Sequence, residues 1–389
     1  MKKDKIWTKE FFLVVFSNFV ISIGVYMLHP TVPLYLVELG AVESQIGFVV
    51  TAFFVTSIFF RLFTNVVLIG KGKKRVLIGA TLLNTVVMFS YGLVDSITMV
   101  GILRVFQGMS FGATNILTTT MAADFLPDSR RGEGIGYFTM GVVIAMSIGP
   151  AISLFLIENI GFYAMFFTAS GFSLLATIAV LFSVEPSIAP SGAPEIKGKT
   201  VWQNIFDRRL ILAAVVSLLV GFSRSAEQSF ISVFAQVRSL EHLPWYFVIQ
   251  TATMFCVRSF GGRLQDKKGR NYVVYPGGVA MLASLIILAF TQVSWSMLLA
   301  AFFSGVAVGL LAPALQLWMF SFVSPERRNV ASATYYNTLE MGLSIGASSL
   351  GVLAENTGYT VMFLAAAFVA LSSVVAYFTL GREKKLKPE

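Results

Sequence analysis

"RLFTNVVLIGKGKKRVL", Arg61 to Leu77, and "RSFGGRLQDKKGRNYVV", Arg258 to Val274, align without a gap at a spacing of 197 residues. Arg61 meets Arg258, Phe63 meets Phe260, Lys71 meets Lys268, Gly72 meets Gly269 and Val76 meets Val273. The same offset pairs Gly108 with Gly305, Gly112 with Gly309, Arg130 with Arg327 and Arg131 with Arg328. Further on it pairs Gly149 with Gly346, Gly161 with Gly358, Met165 with Met362 and Phe166 with Phe363. Apolar matches arise by chance; a series of glycines and arginines at one offset does not. The chain is an internal duplication, and its fold must be one that two like halves can build. Inside the motif only the second copy carries an acid: Asp266 stands where the first copy has Ile69.

The halves are membrane-embedded. Of 389 residues, 56% are hydrophobic, 13% are charged and 36 are Phe, more apolar surface than a soluble domain of this size can hide. A spanning helix needs about 20 apolar residues. Runs of that length recur near 11–36, 45–69, 76–94, 98–121, 134–157, 162–184, 209–235, 244–262, 272–291, 295–322, 330–354 and 359–380. They are far longer than the ~10-residue alternating strands of a membrane barrel. The first run follows Lys2, Lys3, Lys5 and Lys9 but has no small-residue cleavage site, so it is expected to be a retained span and not a signal peptide. The expected fold is an all-α integral membrane protein: twelve transmembrane helices arranged as two parallel six-helix repeats.

The formal net charge of +9 is an orientation signal. An even number of spans puts both termini on one side, and 24 of the 29 Lys and Arg residues fall on that side. The positive-inside rule then makes both termini cytoplasmic, with some contact to anionic lipid expected and no nucleic-acid partner. "VEPSIAPSGAPEIKGKT", Val184 to Thr200, is the one stretch rich in Pro, Gly and Ser. It divides the chain into an N-terminal half (1–184), a cytoplasmic linker (185–208) and a C-terminal half with a short basic tail (209–389). The single cysteine, Cys256, excludes an intrachain disulfide, and nothing points to a metal cage, a redox pair or a cofactor. Enzyme motifs are missing too: there is no HExxH, GxSxG or P-loop, and no loop could hold a nucleotide-binding domain.

Two six-span halves, a basic linker and a basic motif after the second and eighth spans resemble the major facilitator superfamily. "GGRLQDKKGR", Gly261 to Arg270, is similar to the family's signature loop G-x-L-a-D-r-x-G-r at Gly262, Leu264, Asp266, Gly269 and Arg270. "RVFQGMSFGA", Arg104 to Ala113, resembles its fourth-span motif at Arg104, Gln107 and Gly108. "HPTVPLYLVELG", His29 to Gly40, resembles the end of the first span in the twelve-span drug/proton antiporter branch. That branch's fifth-span motif is matched at Gly136, Gly149 and Pro150, while Ala145, Ser153 and Leu154 replace three of its glycines. The resemblance implies transport by alternating access. It also implies that Asp266 is a latch of the inner gate, facing the start of the fifth span around Arg130 to Gly134, with Gly262, Arg270, Arg258 and Arg61 in the same gating region. Ile69 cannot supply the matching latch.

Charges inside a span cost roughly 2.5–3.5 kcal/mol each on insertion scales, so each needs a role. Arg104, Arg224, Glu227 and Glu340 are the four deepest. Arg224 and Glu227 share a helix face at a spacing of three. Two arrangements fit it: a local ion pair, or a cavity wall on which Arg224 draws an acidic group of the substrate. Gln228 widens that polar face. Glu340 has no basic neighbour within a turn and shares a face with Asn337, Ser344 and Ser348, a setting that suits proton uptake and release. Proton coupling is therefore expected of Glu340, Glu227 and, through the resemblance, Arg104, whose other reading is a clamp on helix carbonyls. Tyr26, Asn115 and Gln316 are further candidates to line the substrate cavity, as are Gln250 and Trp318. His29 is expected at the surface beside Pro30, and Asp124 in a pair with Arg130 or Arg131. The expected function is proton-coupled efflux of a small amphipathic molecule by a monomer. Uptake of a small polar solute and a non-transporting receptor or scaffold are the alternatives.

Overall fold

A computed structural model describes residues 5–67, 72–185, 208–324 and 328–380. Ile69, Lys71, Arg327 and nearly all of the 185–208 linker lie outside the described residues. Among the described residues twelve long helices follow in order: α1 Lys9–Glu38, α2 Glu43–Val67, α3 Lys73–Tyr91, α4 Ile97–Asp124, α5 Arg131–Asn159 and α6 Phe162–Phe182, then α7 Ile211–Val237, α8 Leu243–Lys268, α9 Asn271–Phe290, α10 Ser294–Phe320, α11 Arg328–Thr357 and α12 Tyr359–Leu380. The described residues contain no strand.

By length and composition alone, eight of these helices are apolar enough to cross a membrane; α3, α4, α8 and α11 are too polar. The duplication resolves the shortfall. α3 is the counterpart of α9, α4 of α10, α8 of α2 and α11 of α5, and each of those partners qualifies. Every one of the six positions in the repeat is thus supported as a span by at least one copy. Arg104 in α4 and Glu340 in α11 are among the polar residues of the helices that fall short.

The chain forms two compact units, residues 1–41 with 48–191 and residues 42–47 with 192–389. In the first, α1 packs on α5 and α6, and α3 packs on α4 and α6. In the second, α7 packs on α11 and α12, and α9 packs on α10 and α12. The two lists are the same list shifted by one repeat. Glycine spacing carries the closest approaches, because a missing Cβ lets backbones meet. Gly108 lies against the Phe53 carbonyl and Thr56, and Gly305 against the Gln250 carbonyl and Thr253, each 197 residues further on. Gly112 against Ser57 is matched by Gly309 against Met254. The hinges are duplicated as well. Gly161 (φ +113°) precedes α6 and Gly358 (φ +83°) precedes α12, both in a left-handed conformation that glycine adopts without a steric penalty.

Not every equivalent position has kept its chemistry. Lys73, the first residue of α3, donates to Asp124, the last of α4, at 2.7 Å. Asp124 does not pair with Arg130 or Arg131 as expected. Antiparallel packing of α3 on α4 brings Lys73 to it, while the Arg130 guanidinium is held as a fork by Glu133 three residues on, at 2.9–3.1 Å. Lys73 corresponds to Arg270 and Asp124 to Ser321, so the second copy has lost the acid. Arg270 packs among aromatic rings. Its Nε donates to the Tyr377 hydroxyl at 2.7 Å, and its guanidinium lies 4.9 Å from the Trp318 ring centroid and 5.4 Å from that of Tyr377. Trp318, expected to line a cavity, is buried in this cage.

Candidate functional site

α7 is apolar on most of its surface, and Glu227 interrupts it in mid-helix with only 6% of its surface exposed. A carboxylate buried this way needs hydrogen-bond donors. Ser284 of α9 donates to Oε1 at 2.6 Å, and Ser304 of α10 donates to Oε2. Gln250 of α8 donates to the Ser304 hydroxyl at 2.7 Å, and the Tyr246 hydroxyl lies beside the same carboxylate. Four helices of the second unit therefore converge on one acid.

The local Arg224–Glu227 ion pair is not formed. The oxygens of Glu227 are taken up by hydroxyls from α9 and α10, and Arg224 makes no hydrogen bond or ion pair with any described residue. Arg224 instead lines a small recess of the same unit with Tyr335 of α11, among Val220, Met281, Leu311 and Leu339. Arg258, expected in the gate, also makes no ion pair among the described residues.

In the first unit the buried charge has the opposite sign. Arg104 is 2% exposed; its Nη2 donates to the Leu28 carbonyl and its Nη1 to Gln107 Oε1, both at 3.0 Å. Gln107 Oε1 also accepts from the Tyr91 hydroxyl at 3.1 Å, and the Phe53 ring lies 5.5 Å from the guanidinium. The 197-residue offset maps Gln107 onto Ser304 and Pro30 onto Glu227. The junction of the first and fourth spans of the repeat thus holds a cation in one copy and an anion in the other. His29 is not the surface histidine expected. Its ring sits among Tyr26, Phe53 and Phe54, with centroids 5.1–6.4 Å away, because α1 turns this face toward α2 within the unit.

The remaining residues singled out are scattered. Glu340 is half-buried on α11; the hydroxyl of Ser348 on its face is turned to backbone carbonyls of its own helix. Gln228, Asn115 and Tyr26 are half-buried, and Gln316 donates to Ser332 at 3.1 Å. Asp266 is exposed in the last turns of α8 and makes no ion pair among the described residues. Arg61 is 8% exposed near the end of α2, and around Gly262 nothing lies within 4 Å of where a Cβ would sit. Ser284, Ser304, Tyr246 and Tyr335 escape a search for intramembrane charge because they carry none. The pairing of Ser304 with Gln107 was the signal that could have exposed one of them.

The Major Facilitator Superfamily model matches residues 14–292 and 242–389. Quinolone resistance protein NorA of Staphylococcus aureus (strain Mu50) is 22% identical over 393 residues, covering 98% of this chain and 99% of that protein. The uncharacterized MFS-type transporter MJ1560 of Methanocaldococcus jannaschii is 21% identical over 385 residues, covering 96% of this chain and 99% of that one. Among solved structures, a point mutant of the nucleoside transporter NupG is similar with a TM-score of 0.79 at 14% identity, covering 95% of this chain and 99% of that one. The chain belongs to the Major Facilitator Superfamily: it is a multi-pass membrane transporter of small molecules, and not an enzyme.

Proposed function

We propose that the protein expels a small amphipathic molecule in exchange for protons, by alternating access, and that Glu227 is the group that carries the proton. Full-length similarity to a quinolone resistance protein supports the direction. The observation that carries the coupling is the Glu227 cluster, a buried carboxylate held by hydroxyl donors and not by an ion pair. Hydroxyls can donate to the carboxylate or accept from the carboxylic acid, so the site can hold either protonation state without rebuilding. An ion pair would hold only one. Glu340 and Arg104 are the other members of the proton-coupling set, and Glu340 is second to Glu227 because it is less enclosed. The protein acts as a monomer of two halves, 1–184 and 209–389, joined by a cytoplasmic linker.

The test is transport by the full chain in proteoliposomes. Glu227→Gln is expected to keep downhill exchange of substrate and to lose its acceleration by an imposed pH gradient. If the variant still concentrates substrate when protons flow, Glu227 does not carry the proton and Glu340→Gln becomes the variant to examine.

A further inference from the structure

We propose that Ser284 is the positioning residue of the proton site: its hydroxyl donates to Glu227 Oε1 while the carboxylate is charged, and turns to the Ala300 carbonyl when Oε1 takes the proton. The inference rests on the reading of Glu227 above and adds which oxygen is protonated and what moves. It begins from a count of hydrogens. Ser284 Oγ lies 2.6 Å from Glu227 Oε1 and 2.9 Å from the Ala300 carbonyl oxygen, two acceptors, and a hydroxyl has one proton to give. With Glu227 ionised, the carboxylate is the stronger acceptor. The Ala300 carbonyl sits inside α10 and keeps its helical bond without the serine. With Oε1 protonated, its O–H donates to Ser284 Oγ, and the serine proton passes to the Ala300 carbonyl. The step adds one proton to Oε1 and rotates one hydroxyl; no covalent bond of the serine breaks.

Ser304 is not equivalent. Its Oγ accepts from Gln250 Nε2 at 2.7 Å and its proton goes to Oε2. The Tyr246 hydroxyl lies beside Ser304 and the carboxylate, but it meets hydrogen-bond geometry with no described residue. A proton on Oε2 would therefore leave Ser304 with a hydrogen and no acceptor for it, so Oε1 is the oxygen protonated. The duplication agrees. The 197-residue offset maps Glu227 onto Pro30 and Ser284 onto the buried Val87. The switching hydroxyl is present in the copy that has the acid and missing from the copy that lacks it, whereas the Ser304 position stays polar in both, as Gln107. Arg224 on α7 and Tyr246 on α8 are the titratable groups that act on the carboxylate; among the described residues none does so from α9, α10, α11 or α12. In both protonation states α7 is tied to α9, and only the protonated state adds the tie from α9 to α10.

The test is a pH titration of the full-length protein in lipid nanodiscs by infrared difference spectroscopy, with Glu227→Gln identifying the carboxylic-acid C=O band. Ser284→Ala should move the titration midpoint up by about one pH unit, because the charged form loses a charge-assisted donor and the acid only a neutral partner. Ser284→Thr keeps the hydroxyl and should keep the midpoint. Ser304→Ala should raise the C=O frequency, since Oε2 is the carbonyl oxygen and loses its donor, while Ser284→Ala, on the hydroxyl side, should not. The reverse pattern puts the proton on Oε2 and overturns the proposal, as does a midpoint that Ser284→Ala leaves unmoved. Should Ser284→Ala fail to give a monodisperse protein, the Ser304→Ala spectrum decides, and an unchanged frequency overturns the proposal. A wild type without a titrating Glu227 band sinks the proton-carrying role and this inference with it; a band that titrates but ignores Ser284 sinks this inference alone.

Discussion

Lys73 and Arg270 descend from one position and are now held by different forces. Lys73 faces Asp124 with side chains 32% and 22% exposed, so that pair is hydrated, contributes about 0.2–1 kcal/mol and is screened by salt. Arg270 lies against two ring faces and a phenol oxygen, an arrangement worth about 0.5–1 kcal/mol when exposed and about 2 when desolvated. Raising the ionic strength should therefore erase the thermal destabilisation of Asp124→Asn and leave that of Trp318→Leu intact. A double-mutant cycle of Arg270→Ala with Trp318→Leu should show a coupling of about 1 kcal/mol in thermal or denaturant unfolding. Equal salt dependence at both sites would refute the distinction. At this scale the sequence identified which charges were unusual, Arg104, Arg224, Glu227 and Glu340 among them. It did not identify their partners: Tyr377 is 107 residues from Arg270, and Ser304 is 77 from Glu227.

Helices α4 and α10 depend on the absence of side chains. A Cβ at Gly108 would run into the backbone carbonyl of Phe53 and the hydroxyl of Thr56, and one at Gly305 into the Gln250 carbonyl. Backbone cannot rotate out of the way as a side chain can, so α4 would have to move off α2. Gly108→Val should cost at least the roughly 1–3 kcal/mol typical of overpacking and lower the thermal midpoint of the solubilised protein. Gly262→Ala is the contrasting substitution. It sits in a helix with open space around the added methyl, and it should be neutral or raise stability by about 0.5–1 kcal/mol through helix propensity. A fall in midpoint with Gly262→Ala as large as with Gly108→Val would show that spacing at the glycines is not what matters. These contacts were legible beforehand, since the glycines recur at one offset in both copies.

For the whole molecule, the spans and the basic loops together set the orientation. Reporters fused at either terminus and within 185–200 should score cytoplasmic, and one within 239–242 should score external. A cytoplasmic result at 239–242 would require the order of spans to be redrawn. The polar helices α3, α4, α8 and α11 are the weak points of any hydropathy reading, and each is supported by its apolar counterpart in the other copy.

The sequence alone determined the duplication, the number and approximate extent of the apolar helices, the recurring glycines and the class of protein. Each of these is written in one dimension, as the length of an apolar run, the period of a repeat or the spacing of residues without a Cβ. Tertiary structure alone decided the chemistry of the buried charges. Sequence spacing allowed Arg224 to pair with Glu227, but serines from α9 and α10 reach the carboxylate first, and those serines look like any others in an apolar helix. Spacing allowed Asp124 to pair with Arg130, but packing of α3 on α4 delivers Lys73. A buried charge takes whichever donor or acceptor the packing of helices brings within about 3 Å, and that choice is made in three dimensions.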